Sequence, residues 1–167
     1  MLICDIIIEM KLIKLTKGFY TRVDDDNFDE LNKFKWHIDG RGYAHRWVWD
    51  KKTKKSIGIK MHKFIYGNNC SGIEVDHING DKLDNMRSNL RGVTHSQNSY
   101  NQRPRRDFSY KGVSRVNDRS FKKPFTASIM FNYQRIHIGY FSTEEEAAAA
   151  YDCAAMELFG EYARLNW

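Results

Sequence analysis

Apolar and polar positions alternate along "KLIKLTKGFYTRV" (11–23), with Gly18 at a turn, a pattern that predicts strands. The next stretch, "DDDNFDELNKFKW", reads as a short helix opened by aspartates, which suit the positive end of a helix dipole. "GYAHRWVWD" and "SIGIKMHKFIYG" resume the strand signal on either side of the polar turn "KKTKK", with an apolar turn of helix around "MHKFIYG". Three further strand-like runs follow late in the chain: "YKGVSRV", "PFTASIMF" and "QRIHIGYF", the last two joined by the turn "FNYQR". They lead into "STEEEAAAAYDCAAMELFG", a helix with clear ends. Thr143 and Glu146 form a capping box, three glutamates load the first turn, and Gly160 sits just past the last one. Alanines 147, 148, 154 and 155 with Tyr151, Leu158 and Phe159 make a low apolar face that can lie close on a three-stranded sheet. Period-two alternation turns Ala127, Ile129, Ile136 and Ile138 toward that helix, and Thr126, Ser128, Met130, Arg135 and His137 away from it.

Composition narrows the class. At 167 residues the chain holds one large domain or two or three small modules, and 41% apolar residues exclude wholesale disorder. Trp36, Trp47 and Trp49 are read as core or half-buried sheet residues rather than a stacking platform. Cys4, Cys70 and Cys153 stand far apart with no CxxC pair, which argues against a disulfide framework or a zinc knuckle. The opening "MLICDIII" is interrupted by Asp5 and reads as an early strand, not a targeting signal. No apolar run reaches the roughly 20 residues that span a bilayer, so no membrane partner and a cytoplasmic location are expected.

Charge is uneven. The formal total of +6 divides into +5 over 1–70, +2 over 71–106 and −1 over 107–167. Within the last part, 107–137 carries six Lys/Arg against two Asp, and 138–167 one Arg against six acids. The sheet side is therefore +4 and the helix side −5, and a polyanion would draw the sheet inward. "KKTKK" is either a solvated hairpin tip or a phosphate contact. "RPRRDFS", with Pro104 and Arg103, Arg105 and Arg106, reads as a basic linker.

Chemistry concentrates in "VDHINGDKLDNMRSNL" (75–90). Hydrolysis with one metal ion needs a carboxylate for a hard cation, a neutral His to take a proton from water, a group to orient that His, and a second oxygen ligand. Asp76 and His77 are adjacent, so on a continuing strand they would face opposite ways; the Asn79-Gly80 turn makes a strand end there plausible. Asn89 follows 12 residues after His77, and Asn98 a further nine, inside "THSQNSYNQ", which can open a short helix. Asp81, Asp84 and Asn85 read as turn-formers. Arg87 and Arg91 lean toward phosphate contact, and His62 is a minor candidate.

The string "VDHINGDKLDNMRSNLRGVTHSQNSYNQ" resembles the HNH nuclease family, in particular the homing endonucleases of phage and intron type. The resemblance implies a ββα-metal unit with Asp76 and Asn98 on one divalent ion, His77 as general base, and Asn89 bonded to the His. Oxygen ligands suit Mg²⁺ or Mn²⁺ better than Zn²⁺. The expected products are a 5′ phosphate and a 3′ hydroxyl. Many family members carry a third His where this chain has Asn98; His95 is read as an exposed or phosphate-facing residue, not as that third ligand.

Residues 110–167, through "YKGV", "IGYFSTEEEAAAAYDCAA" and "ARLNW", resemble the plant ethylene-response-factor (APETALA-type) DNA-binding domain. By position, the resemblance places DNA contacts on Lys111, Ser114, Val116, Ser128, Met130, Arg135 and His137. Arg119, Lys122 and Lys123 are either added phosphate contacts or a solvated loop.

The expected fold class is α+β. A small β-rich N-terminal module (1–70) precedes a ββα-metal core (71–103) and a basic linker (104–109). A three-stranded antiparallel sheet packed on one C-terminal helix (110–167) completes it. The expected function is a homing-type DNA endonuclease, making a nick or a double-strand cut in double-stranded DNA as a monomer or a homodimer. The alternative is a DNA-binding regulator with an inactive nuclease core. An RNA substrate is disfavoured, because the deep, narrow major groove of A-form RNA excludes a sheet.

Overall fold

The structure, a computed structural model, describes residues 9–67, 72–104, 109–118 and 122–167. The strand expected at the start, Cys4, Cys70, Arg105, Arg106 and Arg119 lie outside these residues. The chain is α+β and divides by contact density into two compact units, 1–94 and 95–167.

The first unit is built from small antiparallel sheets. Strands β1 (Met10–Lys14) and β2 (Tyr20–Asp24) form a hairpin, pairing Leu12 with Arg22. Helix α1 (Asp25–Leu31) follows, with Asp25 and Asp26 in its first turn as the helix dipole favours. Strands β3 (His37–Ile38), β4 (Ala44–Asp50) and β5 (Lys55–Lys60) make a three-stranded sheet, and α2 (Met61–Tyr66) continues directly from it. The hairpin of β6 (Glu74–His77) and β7 (Leu90–Val93) closes the unit.

One core serves all of these parts. Ile13, Leu15, Val23, Leu31, Trp36, Ala44, Met61, Ile65 and Leu90 are buried together, so the β6–β7 hairpin shares its apolar interior with the N-terminal strands. Each large side chain there is worth about 1.5–3 kcal/mol of burial. Trp36 is in this core, its indole N–H donating to Leu31 O at 2.8 Å. Trp47 and Trp49 are not: they are 63% and 61% exposed, against expectation. Both lie on β4 where it pairs with Gly58 and Ser56 of β5, residues too small to cover an indole.

The second unit holds α3 (His95–Tyr100), strands β8 (Val113–Arg115), β9 (Phe125–Phe131) and β10 (Gln134–Phe141), and helix α4 (Glu144–Phe159). The sheet order is β10-β9-β8, antiparallel throughout. At the start of α4, Thr143 Oγ1 accepts from Glu146 N–H at 3.1 Å. The reciprocal bond goes one residue further out than in the usual capping box, from Ser142 N–H to Glu146 Oε2 at 3.0 Å. Ala147, Ala148, Tyr151, Ala155 and Phe159 of α4 pack on Val113, Ala127 and Ile129. Ile138 joins them, but Ile136, expected on the same face, is 40% exposed on the edge strand β10. A register shift between His137 and Gly139 separates the two isoleucines. Tyr100 of α3 stacks on Phe159 with ring centroids 3.8 Å apart, which anchors α3 in this unit.

Candidate functional site

β6 ends at His77. Ile78 N–H donates to Asn89 O and Gly80 N–H to His77 O, so the chain leaves the strand at once into the turn. Asp76 and His77 are both buried, at 9% and 3% exposure. Asp76 stands opposite Arg91 in the hairpin register and accepts from it twice at Oδ2, from Nη2 at 3.0 Å and Nε at 3.2 Å. Arg91, expected on phosphate, is thus held on the carboxylate.

The turn is tied from within. Asn89 accepts from Asn79 N–H at 3.0 Å and donates to Asn79 Oδ1 at 3.0 Å and to Asp84 O at 2.9 Å. It braces the 78–84 loop. A different side chain reaches the imidazole: Asn85 Oδ1 lies 3.2 Å from His77 Nε2. Asn85, read from sequence as a turn-former, is 1% exposed and spans from His77 to Thr21. Asp84 accepts from Asn79 Nδ2 at 2.9 Å and sits 3.6 Å from Arg22; Asp81 holds the same guanidinium at 2.6 Å. Those two aspartates do serve the turn and its link to β2.

Other rings surround His77. His62 of α2 meets it edge-on with centroids 4.9 Å apart, and Tyr43 is 5.1 Å from His62 and 5.9 Å from His77. Lys60 and Lys82 lie over the Tyr43 ring, at 4.3 and 4.7 Å. Burial lowers the pKa of His77 below its ordinary value, only partly offset by Asn85 and the nearby aspartates. Burial and the charge on His77 and nearby lysines push His62 down to about 3. Burial and the negative charge of Asp76 raise Tyr43, so its phenol stays protonated. The site therefore keeps a neutral imidazole beside a carboxylate at neutral pH.

A buried neutral His62 makes acid stability a direct readout. The unfolded chain binds a proton on this residue near its ordinary pKa of 6.5, and the folded chain only near 3. Between those values the unfolded state holds more protons, so stability is full above 6.5 and falls as the pH drops toward 3. Urea midpoints from pH 7 to 4 should show a loss approaching about 1.4 kcal/mol per pH unit, and His62→Phe should flatten that slope. An unchanged slope in the variant would place His62 in water.

Among the described residues no group of three His, Cys, Asp or Glu side chains is gathered, as a closed zinc site would require. The donor set suits a hard cation with oxygen ligands and solvent: Asp76 offers a carboxylate at the end of β6, and its neighbour His77 is neutral. Asn98 lies half-buried on α3, in the second unit, and His95 is exposed on the same helix.

The expected DNA-contact residues of the second unit fall into two groups. Arg103, Lys111, Ser114, Ser128, Met130 and Arg135 line one hollow of about 500 Å³, floored by Val113, Ile129 and Tyr151. Its charged lining is wholly cationic. Lys111 is partly committed to structure: its Nζ donates to Tyr100 O, and burial followed by the Arg164 charge lowers its pKa to about 8. His137 lies apart from that hollow, 3.3 Å from Thr126 Oγ1 and against the Tyr140 ring. Val116 binds Pro124 through its backbone, and Lys122, Lys123 and Arg87 are exposed. Sequence reasoning missed Asn85, Thr21 and Tyr43. The eight-residue step from His77 across a Gly turn was the one available signal for Asn85, and nothing in the sequence marked the other two.

A carboxylate and a neutral imidazole, side by side where a strand breaks into a braced turn, are equipment for activating water in hydrolysis. Comparison with known proteins narrows that class. Residues 63–100 match the family model described as HNH endonuclease. An uncharacterised HNH endonuclease of Acanthamoeba polyphaga mimivirus is 34% identical over 169 residues, covering 98% of this chain and 83% of the relative. The chain belongs to the HNH endonuclease family and is a nuclease. Nucleases of this family typically use a divalent metal. No helix among the described residues is long and apolar enough to cross a membrane.

Proposed function

We propose that the protein is a homing-type endonuclease that hydrolyses phosphodiester bonds of double-stranded DNA in two separate tasks, cutting at Asp76–His77 and reading with residues 110–167. The observation that carries the reading is the buried, neutral His77 beside Asp76 at the end of β6. His77 takes a proton from water as its oxygen adds to phosphorus; the bond to the 3′ oxygen breaks and that oxygen takes a proton from solvent, leaving a 5′ phosphate and a 3′ hydroxyl. Mg²⁺ or Mn²⁺ held by Asp76 and Asn98 would neutralise charge on the scissile phosphate and on the leaving oxygen. Asn89 keeps the turn in shape, and Arg91, now on Asp76, would have to give way for that carboxylate to hold a cation. With one such site per chain, a single copy makes one incision, so a nick is the expected product of a monomer.

The reading module uses the sheet face. Ser114, Ser128, Met130, Arg135 and His137 contact the groove, Lys111 and Arg103 the backbone, joined by Arg87, Lys122 and Lys123 and, outside the described residues, by Arg105, Arg106 and Arg119. The cationic hollow and the exposed side chains on β9 and β10 support this. The exposed Trp47 and Trp49 beside Lys51, Lys52, Lys54 and Lys55 support a DNA contact by the N-terminal module too.

The experiment is end-mapping of cuts in DNA flanking the gene. Purified protein with Mg²⁺ or Mn²⁺ should give discrete 5′-phosphate, 3′-hydroxyl ends on one strand, and EDTA should remove them. Cleavage undiminished in EDTA would overturn the metal assignment. Ends with a 3′ phosphate would overturn the proposed chemistry.

A further inference from the structure

His77 is not positioned by its own hairpin alone. A chain of side-chain hydrogen bonds runs from it into β2, outside the 63–100 segment that matches the family. Thr21 Oγ1 donates to Leu83 O at 2.7 Å. Asn85 Nδ2 donates to Thr21 Oγ1 at 2.7 Å, and Asn85 Oδ1 faces His77 Nε2 at 3.2 Å. Thr21 is fully buried and Asn85 nearly so. The backbone locks the two strands of chain together: Arg22 N–H donates to Leu83 O, and Asn85 N–H to Arg22 O, both at 2.8 Å.

The direction of each bond follows from the number of hydrogens. A threonine hydroxyl has one, and here the Leu83 carbonyl takes it. What remains toward Asn85 is lone pairs, so the amide must present its NH₂ end to Thr21. The carbonyl end is then turned to the imidazole. An oxygen without a hydrogen can only accept, which puts the proton of a neutral ring on Nε2 and leaves the lone pair on Nδ1. An amide flipped by half a turn would face Thr21 lone pairs with its oxygen and offer an N–H to Nε2. That would make the other nitrogen the protonated one. Buried as these atoms are, water does not substitute for a missing partner.

We propose that Thr21 is a positioning residue for the nuclease reaction, acting through Asn85 to fix which nitrogen of His77 carries the proton. This rests on the reading of His77 as the base, and it assigns to the N-terminal module a part in the chemistry rather than in support alone. The chain of bonds sets the tautomer in the absence of metal and DNA, so it can be measured apart from cleavage.

The test is a long-range ¹H–¹⁵N correlation spectrum of the full chain, labelled and free of metal, at about pH 8, above the ordinary histidine range. His77 in the native protein should show protonated Nε2 and unprotonated Nδ1. Thr21→Val, close in shape but without a hydroxyl, should give a mixture of tautomers and lower kcat about 10- to 100-fold with little change in KM, and Thr21→Ser should restore both. A native His77 protonated at Nδ1 overturns the proposal, as does a folded Thr21→Val with native spectrum and rate. If Thr21→Val does not fold, the native and Thr21→Ser spectra still decide. A native protein that cuts no DNA would sink the nuclease reading, and the spectrum would judge the bond chain independently.

Discussion

Replacing His77 by alanine is expected to lower metal-dependent DNA cleavage by about 10²–10⁴-fold, the usual contribution of a positioned acid or base. The imidazole is well suited to the task. It is 3% exposed, its pKa is depressed mainly by burial, and Asn85 holds one nitrogen. A base must be neutral to accept a proton, so the rate of the native enzyme should rise with pH as His77 deprotonates. The midpoint of that rise should fall on the acid side of 6.5, because the folded pKa is lowered. His77→Ala should remove this limb together with the rate. The substitution also leaves Asn85 Oδ1 without its buried partner, a loss of about 1–3 kcal/mol, so circular dichroism and DNA affinity must be read alongside. A variant that folds, binds DNA and cuts within tenfold of the native rate would take the base role away from His77.

The parts of this chain that could be read from sequence are those decided locally. Helix α4 has its cap, its acidic first turn and its glycine stop within one short segment, and forms where expected. The strand end at Asp76 and His77 could be read for a similar reason: the Asn79-Gly80 turn follows directly and closes β6. What could not be read depends on partners far along the chain. Asn85 faces His77 because β2, some 60 residues earlier, pins the 83–85 loop, and a polar loop alone gives no sign of that. Trp47 and Trp49 have the composition of core residues, yet only small residues stand across from them on β5. Ile136 follows the alternation but lies on an edge strand beyond a register shift. The pattern gives a face, and the topology decides whether anything covers it.

Stability of the second unit is expected to hinge on Gly112. Its φ is +77°, a backbone region that costs an ordinary residue about 1–2 kcal/mol. Space is the larger obstacle. A Cβ there would sit 2.0 Å from Tyr151 Cδ2, 2.3 Å from Cε2 and 2.8 Å from the Ser128 carbonyl oxygen. Neither neighbour can yield cheaply. Tyr151 is 3% exposed among Ile129, Ala155 and Phe159, and Ser128 N–H is bonded back to Gly112 O at 2.9 Å. Moving the ring opens the α4 interface, and moving the carbonyl breaks the join between β9 and the turn before β8. Overpacking of this kind adds about 1–3 kcal/mol to the backbone term. Gly112→Ala should therefore lose about 2–5 kcal/mol in chemical denaturation, a large share of what a unit of this size possesses. Hydrogen exchange should place the loss in β9 and α4 rather than in β6. Gly40→Ala is the control, since a Cβ there meets nothing within 4 Å, and it should stay within about 0.5 kcal/mol of the native protein. A Gly112→Ala chain as stable as that control would mean that Tyr151 does not lie against this turn. The close seat of α4 on the sheet would then lose its support.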